Sequence, residues 1–155
     1  MGTATADLYD ERGHELDSLA LQLQDFGGRI AFAGRIRTVR CHRDNALVKA
    51  VLATPGDGAV LVVDGGGSLE SALVGDLIAA SAVAHGWAGV IVNGAIRDRV
   101  ALADLPLGIK ALGSNPRKSA KEGAGEVDVE VLIDGVRFSP GSLVWADADG
   151  VLVER

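Results

Sequence analysis

The sequence predicts a mixed α/β domain over residues 1–155, with a β-α-β middle and antiparallel hairpins at its C-terminal end. Three observations carry this. Two short, continuous apolar runs, Ala59 to Val63 and Gly89 to Val92, read as strands covered on both faces. Between them lies a stretch of small apolar residues (Ala79, Ala80, Ala82, Val83, Ala84) that suits a helix packed on a sheet. Further on, Val127, Val129, Val131 and Ile133 alternate with Asp128, Glu130 and Leu132, and Asp134-Gly135 is a hairpin turn signal leading into Val136 to Phe138.

In chain order, Glu15 to Asp25 reads as a short helix ended by Gly27-Gly28, and Ile30 to Cys41 as a strand. Asp44-Asn45 caps a helix through about Leu52, which Thr54-Pro55-Gly56 stops. Strand Ala59 to Val63 is followed by the flexible loop Asp64-Gly65-Gly66-Gly67-Ser68, and the next helix ends near His85-Gly86. After strand Gly89 to Val92, Arg97 to Asp104 reads as a short helix halted before Pro106, and Leu107 to Leu112 as another strand. Ser142 to Ala146 and Val151 to Val153 form a second hairpin around Asp149-Gly150. No repeat or linker interrupts the chain, and the few α/β units argue against a long doubly wound sheet.

Composition narrows the function. Hydrophobic residues make up 48% of the chain, enough for one core, and aromatics only 4%, so that core is aliphatic. A net charge of −6 argues against direct nucleic-acid binding. The one basic cluster (Arg35, Arg37, Arg40, Arg43) alternates with Ile36 and Thr38, as on the solvated face of a strand. No apolar run reaches transmembrane length. Cys41 stands alone, which excludes an intrachain disulfide and, with no signal peptide, points to the cytoplasm; it reads as a small buried residue at a strand end. His14, His42 and His85 share no metal-ligand spacing, and Asn115-Pro116-Arg117-Lys118 reads first as a solvated loop and second as the rim of an active site.

Chemistry concentrates between Gly65 and Asp98. Gly75-Asp76 is a helix-start signal in which Asp76 would cap the first free amides, leaving Leu77 and Ile78 to point from a helix N-terminus that attracts anions. Arg97 and Asp98 fall just past the end of the strand that begins at Gly89, where open α/β sheets bind ligands. Arg97 offers a fork matched to a carboxylate, and Asp98 a hard oxygen ligand suited to Mg²⁺ or Mn²⁺. Alone, an Arg-Asp pair reads as a surface ion pair or a cap before it reads as a ligand site. Val62-Val63-Asp64-Gly65-Gly66-Gly67 superficially resembles an S-adenosylmethionine site, but the pattern is not G-x-G-x-x-G and the α/β units are too few.

The segments VVDGGGSLESALVGDLIA and GWAGVIVNGAIRD, with twenty residues between Asp76 and Arg97, closely resemble the family of the regulator of ribonuclease E activity A and the class II 4-hydroxy-4-methyl-2-oxoglutarate aldolases. The resemblance extends over nearly the whole chain, including Phe26 to Leu52, Gly108-Ile109-Lys110-Ala111, Gly123 to Val131 and the final ADADGVLV. It implies a swivelling β/β/α fold in one domain. It also implies a divalent-metal-dependent lyase that acts on 2-keto acids through a pyruvate enolate, as aldolase or as oxaloacetate decarboxylase. Gly75, Asp76, Leu77 and Ile78 would hold the substrate carboxylate through backbone amides. Arg97 would bind the keto acid and stabilise the enolate oxygen. Asp98 would hold the Mg²⁺ or Mn²⁺, and Asp76 would position a water for proton transfer. A homotrimer with sites between subunits is implied too, so Glu126 of a neighbour could contribute. The sequence departs from the family pattern at Ala101, where an acidic residue is common; the nearest acid is Asp104. The resemblance equally allows a non-catalytic regulator that binds ribonuclease E.

Overall fold

The computed structural model describes residues 3–155. Its frame is a ten-stranded mixed sheet. At its centre β3 (Phe32–Arg40), β4 (Val60–Asp64), β6 (Gly89–Ile96) and β7 (Gly108–Ser114) run parallel, with β5 (Ala72–Val74) added beside β6. Antiparallel strands flank them: β1 (Leu16–Ser18), β12 (Gly150–Glu154) and β11 (Leu143–Asp147) beyond β3, and β2 (Gln24–Asp25) beyond β7. β8 (Glu126–Val127) also pairs with β3, and β9 (Val131–Ile133) with β10 (Val136–Phe138) forms a separate hairpin. The helices are few: α1 (Thr5–Arg12), α2 (Ala46–Leu52), α3 (Asp76–Ala84) and the single turn α4 (Arg99–Leu102). The mixed α/β class and the antiparallel C-terminal hairpins are as the sequence predicts.

The continuous apolar run of β4 has a direct cause. Its side chains alternate between two cores: Val60 and Val62 join one with Ile36, Ile91 and Phe138, while Leu61 and Val63 join the other with Val48, Leu52 and Ala79. One face carries α2 and α3, the other the hairpin and C-terminal strands. Glycine pairing in register at the starts of β6 and β7, Gly89 opposite Gly108, makes room for the Phe32 ring; a Cβ at either position would lie 2.3 or 2.1 Å from it.

Three expectations fail. Glu15 to Asp25 is not a helix: Leu16–Ser18 pairs antiparallel with Leu152–Glu154, and Gln24–Asp25 with β7. Strand partners far along the chain override the weak local leucine spacing. The alternating stretch from Val127 to Ile133 is not one strand, because Asp128 adopts φ +57° and turns the chain between β8 and β9. Asp76 is the first residue of α3 rather than its cap; Gly75 occupies that place.

The basic cluster is a solvated strand face. Arg37 pairs with Asp128 at 2.8 Å, Arg40 with Glu126 at 2.6 Å and Arg43 with Glu70 at 3.5 Å. Cys41 is buried directly after β3, and His85 sits at the C-cap of α3 with its Nδ1 2.7 Å from the Ser81 carbonyl oxygen.

Candidate carboxylate and metal site

The site is built by the parallel register of β5 and β6. Val74 pairs with Ile96, and the Arg97 N–H donates to the Val74 carbonyl at 3.0 Å. The next residues of each strand therefore leave the sheet side by side, which sets Asp76 opposite Asp98, 22 residues on. The Asp98 Oδ2 accepts the Asp76 N–H at 2.9 Å. Asp98 thus supplies from outside the helix the cap that a residue preceding α3 ordinarily provides. It does so from the left-handed region, φ 63° and ψ 43°, a conformation that costs most side chains about 1 kcal/mol and that Asp tolerates better than most.

Gly75 is required by contact rather than by backbone angle. A Cβ there would stand 2.9 Å from Asp98 Oδ2 and 3.3 Å from Arg97 Nε. Arg97 Nε lies 4.0 Å from Asp98 Oδ2, and its Nη1 donates to the Pro116 carbonyl at 3.3 Å. The Arg97 side chain is half-exposed, its guanidinium held at one corner by that carbonyl. Arg99, two residues on, stacks over the Phe26 ring at 4.7 Å instead.

Two concavities meet at Asp76 and Arg97. One, of about 570 Å³, is lined by Asp76, Arg97, Asp98, Ala101, Ser114 and Asn115, among others. The other, of about 180 Å³, follows the start of α3 from Gly75 to Ile78 and is walled by Lys49, Lys118 and Lys121. All six residues singled out from the sequence (Gly75, Asp76, Leu77, Ile78, Arg97, Asp98) therefore line this one region. The departure at Ala101 leaves an apolar wall in the larger cavity. The loop Asn115-Pro116-Arg117-Lys118, whose second reading from sequence is an active-site rim, lines the larger cavity with Asn115 and Pro116 and the smaller with Lys118.

The amides are not equally available. Asp76 N–H is bound by Asp98, and Leu77 N–H donates to the Asp76 Oδ1 at 2.8 Å. Ala79 N–H returns to the Gly75 carbonyl at 3.0 Å, so the Ile78 N–H is the donor left uncommitted at this helix end. An anion must therefore draw mainly on side chains, or displace the Asp76 carboxylate from Leu77.

Among the described residues no group of three or more His, Cys, Asp or Glu side chains converges on one point. That argues against a closed zinc-type cage. Asp98 retains Oδ1 without a protein partner, and Asp76 shares its cavity. One or two carboxylates facing open solvent are the donor set with which Mg²⁺ or Mn²⁺ binds when water and substrate complete the shell. Glu126 is not part of this region; it is paired with Arg40 on the β3 face.

A mixed sheet with an arginine and two aspartates at the ends of adjacent parallel strands, all three lining one open cavity, defines a small α/β protein. The family model RraA-like, described as Aldolase/RraA, matches residues 5–153, and the chain belongs to that family. Solved structures agree. A Thermus thermophilis protein described as the RNA-processing inhibitor RraA is 51% identical, with TM-score 0.96 over 99% of this chain and 93% of that one. A Geobacillus kaustophilus protein described as an S-adenosylmethionine: 2-dimethylmenaquinone methyltransferase is 47% identical, with TM-score 0.97 over 98% and 94%. Streptomyces coelicolor RraAS2, described as an unusual member of the RNase ES inhibitor RraA family, is 31% identical, with TM-score 0.76 over 96% and 76%. No helix among the described residues is long and apolar enough to cross a membrane.

Proposed function

We propose that this protein is a divalent-metal-dependent lyase that cleaves a C–C bond of 2-keto acids, with oxaloacetate decarboxylation its best-supported reaction. The observation that carries the reading is the convergence of Arg97, Asp98 and Asp76 on one open cavity of about 570 Å³. Arg97 binds the keto-acid carboxylate and faces the C2 oxygen. When the C3–C4 bond breaks, carbon dioxide leaves and the bonding electron pair passes through C3 onto that oxygen, giving pyruvate enolate. The guanidinium is a positive charge held where this negative charge develops, an effect that strengthens as water is excluded from the cavity. A cation held by Asp98 supplies Lewis-acid polarisation of the same keto group. Asp76 orients the water that returns a proton to C3.

Decarboxylation needs no base to start it, whereas aldol cleavage must remove the proton of the C4 hydroxyl. Ala101 offers no carboxylate for that step. Leu77, 81% exposed, and Val100, 86% exposed, stand at the rims of the two concavities. Apolar side chains so placed support closure of the site by another copy of the chain in a homotrimer.

The 51% identity to an RNA-processing inhibitor favours one second reading, a regulator that binds ribonuclease E. For the methyltransferase description the chain has little support: the loop after β4 feeds strand β5 and not a helix N-terminus, so the strand–glycine loop–helix unit that cradles such cofactors is missing. Pyruvate release from oxaloacetate by wild-type and Arg97→Ala protein with Mg²⁺ tests the enzyme reading. Turnover above the metal-only rate that falls at least a hundredfold in the variant supports it. No turnover, together with inhibition of purified ribonuclease E, favours the regulator.

A further inference from the structure

Asp98 leads directly into α4, a single turn whose N-terminal end has no side-chain cap. Val100 and Ala101 of that turn are exposed, and Leu102 is buried in the core. Arg99 is the residue that reaches sideways to another part of the chain. Its guanidinium stacks 4.7 Å from the centre of the Phe26 ring, and its Nη2 donates to the Gln24 Oε1 at 3.4 Å.

Those partners are themselves fixed. Phe26 is buried, and its N–H donates to the Ile109 carbonyl at 2.9 Å. Gln24 pairs with Ala111 in the β2–β7 ladder, and its Nε2 donates to the Leu112 carbonyl at 2.8 Å, which leaves Oε1 for Arg99. Beside it, Asp25 lies 2.9 Å from the buried Lys110 ammonium. Backbone and side chains thus tie this platform to β7, and Arg99 ties α4 to the platform.

Asp98 is caught between two anchors. Before it, the Arg97 N–H is bound to the Val74 carbonyl; after it, the Leu102 N–H returns to the Asp98 carbonyl at 2.9 Å. Its left-handed backbone persists only while the structure on both sides holds it.

We infer that Arg99 is a positioning residue: by stacking on Phe26 and bonding Gln24 it fixes α4, and through α4 it holds the Asp98 carboxylate in the geometry that accepts a divalent cation. The inference rests on the metal reading of Asp98 above. The sign of the effect separates positioning from charge. A guanidinium repels a cation, so if Arg99 acted through its charge alone, removing it would tighten cation binding. If Arg99 positions Asp98, removing it weakens binding, because groups that orient a metal ligand from behind are worth about tenfold or more in metal affinity.

The test is Mn²⁺ binding to the full chain with no keto acid present, followed by electron paramagnetic resonance of the free ion, which needs no turnover. Wild-type protein is expected to bind Mn²⁺. Arg99→Met keeps the side chain's length but not its charge or donors; it is expected to bind about tenfold more weakly while melting within a few degrees of wild type. Arg99→Lys keeps a cation over the ring and is expected to recover most of the affinity. An Arg99→Met protein that binds Mn²⁺ as tightly as wild type, or more tightly, overturns the inference and leaves the Asp98 metal site standing. Wild-type protein that binds no Mn²⁺ overturns the metal reading and the inference with it.

Discussion

The Asp98 carboxylate accepts the backbone N–H of Asp76 at 2.9 Å, so the residue expected to hold the metal also caps the helix that begins the anion site. Two roles on one side chain can be separated by substitution. Asp98→Asn keeps an oxygen for the cap and tolerates the left-handed backbone, but removes the charge. It should melt within a few degrees of wild type while losing metal-dependent turnover by at least a hundredfold. Asp98→Ala loses the cap as well and should be destabilised by a further ~0.5–2 kcal/mol. Thermal melts and pyruvate release on the two variants check this. An Asp98→Asn protein with full activity would remove Asp98 from the chemistry.

Gly75→Ala makes the complementary point. The added methyl meets the Asp98 carboxylate and the middle of the Arg97 side chain, both of which must shift to admit it. Their displacement is costly for function, since a misplacement on the order of 1 Å can lower rates about a hundredfold. Denaturant melts should show a change of under about 1 kcal/mol, while kcat/KM falls by roughly two orders of magnitude.

Asp44 anchors the segment that delivers Lys118 and Lys121. Burial alone would push its carboxyl upward, but backbone N–H groups of Ala46, Glu122, Gly123 and Ala124 outweigh this and hold it below the usual carboxylate range. Asp128 is likewise lowered, first by Arg37. A folded-state pKa below the unfolded value means that the stabilisation is complete above about pH 4 and is withdrawn as pH falls through the folded values. Acid melts should therefore show stability lost progressively below pH 4. Asp44→Asn should flatten that loss, and amide exchange should accelerate in residues 118–124.

Cys41 should be inert in the native protein. Burial, then the nearby Asp44 and Asp64 carboxylates, push its thiol up to about 12, so almost no thiolate exists at neutral pH. Alkylation by iodoacetamide at pH 7.5 should label none of the folded chain within an hour and one thiol per chain in denaturant. Rapid native labelling would show that the β3 end opens.

Legibility in the sequence followed the range of the interactions. β4, α3 and the turn at Asp134-Gly135 were readable because their signals are local: a short apolar run, a helical run of small residues, and a left-handed Asp-Gly pair. β1 was not, because its pairing with Leu152–Glu154 lies at the other end of the chain. α1 was hidden because only Thr5 and Leu8 of its eight residues are buried, which leaves no apolar stripe to read. The six candidate residues lie on two segments that the β5–β6 register brings together, a pairing that neither segment signals by itself. The cap could not be assigned correctly, because its donor and acceptor are 22 residues apart.

The decisive measurement is oxaloacetate decarboxylation followed while Mg²⁺ is titrated in and then chelated. Pyruvate release should rise to a plateau with Mg²⁺, exceed the metal-only rate by at least a hundredfold, and return to baseline on chelation. A rate equal to that of metal alone at every Mg²⁺ concentration would contradict it.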